Sequence, residues 1–265
     1  MPELVRNKYR LVEEIGKGKF GIVYKAVDIY SNKYVAVKFD STEIGLLRHE
    51  ATILNYLTSN KCKNIPMIYW YGVYGTNRVP CVVTPYYKFT LLQYIIHKDM
   101  KLAELNVLLN TMLRTLETIH ELLVIHRDIK PDNFMFDESG KLTLIDFGLS
   151  TFYEKKLNEE KAASFVGNLM YASPNVHNLK VVKAIDDIIS VSYVYMYMCF
   201  DGNLPWENIN DTKIMCCSDE TSSNLIYNSK RIENIEIHLL SNDKVDKKFL
   251  NFLNKLYGDI LCYEL

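Results

Sequence analysis

Along the first third of the chain, apolar and polar positions alternate in short runs; after that the period lengthens. Tyr9–Ile15, Tyr24–Val27, Tyr34–Phe39 and Pro80–Thr84 are rich in β-branched and aromatic residues, are bounded by turn residues, and predict β-strands. Among them, Glu43–Leu57 has an amphipathic pattern and predicts one helix. Beyond Thr84 the spacing becomes helical over Thr90–Ile96 and Leu102–Leu123. Phe134–Phe136 and Leu142–Ile145 flank the turn Asp-Glu-Ser-Gly and read as a short hairpin. The longest apolar run, Ile188–Phe200, follows two aspartates; it is too short to span a bilayer and reads as a buried central helix. Phe249–Leu261 is again amphipathic. The expected class is therefore α+β, strand-rich first and mainly helical later.

With 265 residues and 48% hydrophobic content, the chain is long enough to bury a substantial core. There is no internal repeat and no low-complexity linker. A net charge of −1 provides no general pull toward nucleic acid or anionic membrane, so neither is expected as a direct partner. The six cysteines are scattered without a Cys-x-x-Cys, and no signal sequence is recognised. Reduced thiols in a cytoplasmic or nuclear setting are expected, with Cys216 and Cys217 incidental neighbours and not metal ligands.

Chemistry enters between Ile125 and Asn133, which read IHRDIKPDN, and at Asp146–Gly148, which read DFG. Phosphoryl transfer to a hydroxyl needs a group that orients the nucleophile and takes its proton, and hard oxygen ligands for the cation on the phosphates. Asp128 suits the first task because a carboxylate only accepts hydrogen bonds. Asn133 and Asp146 suit the second, since Mg²⁺ takes a few oxygen ligands and keeps water and phosphate for the rest. Lys130 stands two residues past Asp128 and reaches the transferring phosphate as a point charge. Upstream, Gly16–Val23 reads GKGKFGIV between two strand-like runs, which favours a hairpin whose glycines at 16, 18 and 21 allow close approach to phosphates. Alone, that spacing fits either a dinucleotide fingerprint or a kinase glycine loop; the following strand, ending near Lys38, favours the second.

In the order of these motifs, the chain resembles eukaryotic protein kinases from about Tyr9 to its C-terminus, and within them the casein kinase 1 group. The narrower likeness rests on GNLMYASPNVHN at Gly167–Asn178, the pair Asp186 and Asp187, Leu-Pro-Trp at 204–206, and LLRHEATIL around Glu50. The resemblance implies a bilobal protein kinase fold over 1–265. It would have a small antiparallel β-sheet lobe with one helix to residue 84, a hinge at 85–88, and a mainly α-helical lobe from 89 onward. It implies a monomeric serine/threonine kinase using ATP and Mg²⁺, acting on protein substrates with serine or threonine acceptors. Asp128, Lys130 and Asn133 become the catalytic set, and Asn133 with Asp146 the metal ligands. The ATP-binding set is Ile15, Gly16, Lys17, Gly18, Gly21, Val23, Ala36, Lys38, Glu50, Thr84, Pro85 and Tyr87. Within it Lys38 pairs the phosphates and Glu50 holds Lys38. Thr84 is the gatekeeper, and the Pro85 carbonyl and Tyr87 N–H meet adenine.

Departures from the family pattern are equally specific. Asn168 stands where active kinases usually carry a threonine that bonds the catalytic aspartate and lysine; its longer amide is expected to donate to Asp128 instead. Ala184 and Ile185 replace the two arginines usual before the Asp pair of the casein kinase 1 group, which weakens any inference of acidic or phosphorylated substrates. Asn175 removes the glutamate of the usual Ala-Pro-Glu, and the large lobe is expected to be trimmed at its C-terminal end. Ser150, Thr151 and Ser164 are candidate phosphorylation sites in the activation segment, Asp146–Asn175, although the resemblance implies basal activity without them. The alternative function is a catalytically weak pseudokinase acting as a scaffold, a reading that Asn168 alone favours.

Overall fold

The computed structural model describes residues 4–18, 21–40, 45–153, 164–206 and 249–254. In chain order the elements are β1 (Leu4–Val5), β2 (Tyr9–Gly18), β3 (Gly21–Asp28), β4 (Tyr34–Asp40), α1 (Leu46–Ser59), β5 (Trp70–Tyr74), β6 (Val79–Pro85), β7 (Phe89–Thr90), α2 (Leu91–His97) and α3 (Leu102–Glu121). They continue with β8 (Val124–Ile125), β9 (Phe134–Phe136), β10 (Leu142–Leu144), β11 (Thr151–Phe152), α4 (Pro174–His177) and α5 (Ala184–Cys199). Residues 249–254 are helical, and the remainder of the amphipathic stretch expected to Leu261 lies outside the described residues, as do Cys216 and Cys217. The chain divides into two compact units, 1–90 with 134–150, and 91–133 with 151–265.

The first unit is built on a six-stranded antiparallel sheet in the order β1-β2-β3-β4-β6-β5. Strand alternation sorts the side chains: Val35 and Val37 join Tyr9, Ala26, Cys81 and Val83 in one buried cluster, with Trp70 and Tyr74 packed on it. Ala36 and Lys38, the residues in between, take the other face. Two irregularities in β2, between Leu11 and Glu13 and between Glu14 and Gly16, reset its register so that Gly16 meets Val23 and Gly18 meets Gly21. The strand expected to end at Ile15 therefore runs to Gly18. Gly21 has a reason of its own: at φ 152° a Cβ would sit 2.1 Å from the Phe39 carbonyl oxygen, so close sheet packing alone requires glycine there.

Helix α1 starts after Gly45, whose left-handed φ of 73° makes the entry, later than the expected Glu43; residues 41–44 are outside the described set. Pro85 closes β6 opposite Val35 instead of opening the connection, so only 86–88 link β6 to β7. The hairpin β9–β10 forms as expected and belongs to this unit because β7 pairs with it, Phe89 opposite Phe136 and Thr90 opposite Met135. Asp137 Oδ1 shapes its tip by accepting from the N–H groups of Ser139 and Lys141.

The second unit is mainly helical. The buried face of α3, including Leu105, Met112, Leu116 and Ile119, packs with α5. α3 stops at Glu121 because Leu123 turns left-handed at φ 58°. α5 is buried nearly all round, as an apolar run at the centre of a helical unit demands. Trp206 is fully buried against Tyr193, edge to face at 4.9 Å, and its indole N–H donates to the Met170 carbonyl. Among the described residues, no helix is long and apolar enough to cross a membrane.

Candidate functional site

Each unit assembles its own group of polar residues. In the first, Lys38 projects from β4 and its Nζ lies 2.7 Å from Glu50 Oε2 on α1 and 3.1 Å from Asp146 Oδ1. Burial works against the charge on Lys38, and the carboxylates of Glu50 and Asp146 outweigh it, so the ammonium sits above the ordinary lysine pKa. For Glu50, burial is the largest influence and raises the carboxyl, while the Lys38 ammonium and the Phe147 N–H oppose it. Glu50 lies on the buried face of α1, alongside Leu47, Ala51 and Leu54, which fixes its direction. Asp146 takes a left-handed conformation, φ 62° and ψ 73°, just ahead of the 3-10 turn Phe147–Leu149.

The other first-unit residues singled out above lie along the strands. Ile15 and Lys17 are exposed on β2, with Gly16 half-buried between them. Val23 faces Lys38 across the β3–β4 pair, and Ala36 faces Thr84 across the β4–β6 pair. Thr84 and Pro85 end β6, and Tyr87, just beyond it, bonds through its hydroxyl to Thr143 on β10 of the hairpin.

In the second unit, the loop after β8 carries Asp128, only 5% exposed. Its Oδ2 accepts from Lys130 Nζ at 2.8 Å and from Asn133 Nδ2 at 2.9 Å. Asn133 Nδ2 also donates to the Asp128 main-chain carbonyl at 2.7 Å, so the amide is turned with nitrogen toward the aspartate and oxygen away from it. Both side-chain donors converge on one carboxylate oxygen, and among the described residues Oδ1 is left to another donor. The Asp128 N–H in turn donates to His126 Nδ1 at 3.3 Å.

This loop is suspended from α5. Asp187, 2% exposed, accepts from the main-chain N–H groups of His126 at 2.8 Å and Arg127 at 2.9 Å, and from His120 Nε2 at 2.9 Å. Its neighbour Asp186 accepts from the Ser173 hydroxyl at 2.5 Å and the Lys183 N–H at 2.7 Å, and also bonds to the Asn175 side chain. Burial raises the Asp186 carboxyl above its ordinary value against those hydrogen bonds. Sequence reasoning recognised the Asp pair as a pattern but not these tasks. The available signal was physical: two carboxylates opening a buried helix require partners. Gly167, at φ 114°, lets the segment before α4 press close to the loop, since a Cβ would lie 2.5 Å from the Arg127 carbonyl oxygen.

Asn168 departs from expectation. Its Oδ1 accepts from the Met170 N–H at 2.9 Å, shaping the local turn, and among the described residues its amide makes no bond to Asp128. The bond to its own turn sets the direction of the side chain. Of the candidate phosphorylation sites, Ser164 is exposed, Thr151 is half-buried in β11 opposite Ile125, and Ser150 is buried. Residues 154–163 lie outside the described set.

A cationic side chain between two carboxylates and a carboxylate held by a lysine and an amide are groups suited to handling phosphate and a hydroxyl. The family model described as the protein kinase domain matches residues 9–259. That match takes in both groups and all but the ends of the chain, which therefore belongs to the protein kinase domain family.

Proposed function

We propose that this protein kinase is a serine/threonine kinase, casein kinase 1-like in kind, that moves the γ-phosphate of ATP to protein hydroxyls. The observation that carries the reading is the state of Asp128, with Oδ2 held by Lys130 and Asn133 and Oδ1 left to accept from a substrate hydroxyl. In this position Asp128 orients the hydroxyl and takes its proton as the phosphorus–oxygen bond forms. Lys130 places a positive charge beside the transferring group, and its place after Asp128 follows the serine/threonine pattern. A protein kinase domain implies use of ATP with a divalent ion, Mg²⁺ in this reading; Asn133 and Asp146 would hold it, and it would offset the charge of the phosphates. The residues fit that role: Asn133 has turned its amide oxygen away from Asp128, and Asp146 supplies a carboxylate, both hard ligands. Lys38 spends two of its N–H groups on Glu50 and Asp146 and keeps the third for the nucleotide phosphates.

Ile15, Gly16, Lys17, Gly18, Gly21, Val23 and Ala36 are read as the cover of the nucleotide, with the Pro85 carbonyl and Tyr87 N–H for adenine. Thr84 is read as the gatekeeper. Inhibitors carrying a bulky group aimed past Thr84 are expected to lose roughly tenfold or more in affinity on Thr84→Met, the scale of an overpacked apolar site, while the KM for ATP stays near that of the parent. Unchanged inhibitor affinity in a competition titration would remove Thr84 from that position.

The scaffold reading keeps one specific observation on its side, the engagement of Asn168 with Met170 instead of Asp128. Transfer of labelled phosphate from ATP with Mg²⁺ to casein, followed by phosphoamino-acid analysis, separates the readings. Labelled serine or threonine is the expected outcome, and phosphotyrosine would overturn the acceptor class. Nucleotide binding without transfer would favour the scaffold, and recovery of transfer in Asn168→Thr would trace the deficit to that residue.

A further inference from the structure

Two neighbouring residues of α1 hold opposite ends of one short turn. At its start, the Phe147 N–H donates to the Glu50 carboxylate. At its end, His49 Nε2 lies 2.7 Å from the Ser150 carbonyl oxygen. A carbonyl only accepts, so Nε2 carries the proton. Between these points the 3-10 turn Phe147–Leu149 closes with a Ser150 N–H to Phe147 carbonyl bond of 3.1 Å.

The turn needs such support. A single 3-10 turn has poor hydrogen-bond geometry and little stability of its own. Asp146 precedes it in a left-handed conformation, which aspartate tolerates better than most residues with a Cβ but at some cost. Ser150, 1% exposed, is packed under the same helix, whereas His49 lies on the exposed side of α1. His49 therefore contributes little to the core and a directed bond to the backbone that follows Asp146.

We propose that His49 is a positioning residue for phosphoryl transfer. With Glu50 it clamps the turn at both ends and thereby holds Asp146 where Lys38 reaches both carboxylates. The clamp makes that arrangement intrinsic to the fold of the first unit, without a phosphate on Ser150, whose burial already opposes modification. The catalytic part of this inference rests on the kinase reading above; the clamp itself does not.

The test uses the full chain with His49→Ala, His49→Gln and His49→Asn. The glutamine amide nitrogen reaches about as far as Nε2, while the asparagine nitrogen reaches only about as far as Nδ1, so bond and bulk are separated. One neutral hydrogen bond shifts a local equilibrium roughly twofold to tenfold. Amide exchange of the peptide spanning 146–150, measured without nucleotide, is expected to quicken by that factor in His49→Ala and His49→Asn and to return toward the parent rate in His49→Gln. The kcat for casein should fall by a similar factor in the first two, with the KM for casein and the melting temperature little changed. Equal exchange rates in all four proteins would overturn the clamp, as would a glutamine variant indistinguishable from alanine. Altered exchange with unaltered kcat would overturn the positioning role. If the parent transfers no phosphate, the kinase reading fails by itself, and the exchange measurement still decides the clamp.

Discussion

Asp128→Asn is expected to lower phosphate transfer on the order of 10²-fold or more, with folding and nucleotide affinity close to those of the parent. The substitution nearly preserves shape, and the surroundings dictate how the new amide sits. Lys130 Nζ and Asn133 Nδ2 both donate to the position of Oδ2, so the amide oxygen must occupy it. The NH₂ group then falls at the position of Oδ1 and presents donors to a hydroxyl whose proton needs an acceptor. Both the base and the orienting hydrogen bond are lost, while Lys38, Glu50 and Asp146 are untouched. Transfer to casein measured beside a nucleotide-binding titration checks this; a variant that retains full transfer would remove Asp128 from the role of base.

The second large effect concerns a residue that touches no substrate in the proposed reaction. Asp187→Ala leaves the N–H groups of His126 and Arg127 and the ring of His120 without the carboxylate they share. Each buried donor stranded in this way costs roughly 1–3 kcal/mol, so the total loss is on the order of 3 kcal/mol or more. Against the stability usual for a domain that is a large fraction. The expected fall in melting temperature is on the order of 5–10 °C. Asp187→Asn keeps one acceptor oxygen and should fall between the two. Thermal unfolding of the three proteins measures the series, and an alanine variant as stable as the parent would show that the loop is held by other means. Transfer should decline with stability, since Asp128 is suspended from the main chain that Asp187 anchors.

Much of this organisation was readable from residues alone, for reasons that can be named. Alternation located β4 and β6, and the change to helical spacing located α2 and α3, because burial on one face leaves a period in the sequence. The order of the motifs paired Lys38 with Glu50, set Asp128 with Lys130 and Asn133, and joined Asp146 to Asn133 as a metal ligand; the bond from Lys38 to Asp146 was not legible there. Periodicity has no information about a partner distant in the chain. It could not assign Asp187 to the loop at His126, or His49 to the carbonyl of Ser150. Local geometry was equally hidden: the irregularities of β2 that carry it to Gly18, the left-handed Leu123 that ends α3, and the turn that engages the Asn168 side chain. Each is decided by a competition among backbone hydrogen bonds that residue type influences only weakly.

The bond between Lys38 and Asp146 joins residues 108 positions apart, and β7 at Phe89–Thr90 has its partner strand only at Phe134–Phe136. Ribosomal synthesis proceeds from the N-terminus, so the six-stranded sheet and the Lys38–Glu50 pair have all their residues well before either of these contacts has its second half. A chain halted within α3 would hold the glycine hairpin and its lysine beside a single carboxylate. Completion of the lysine's surroundings thus waits for residue 146, and a product released before that point is chemically incomplete however well its first strands have paired.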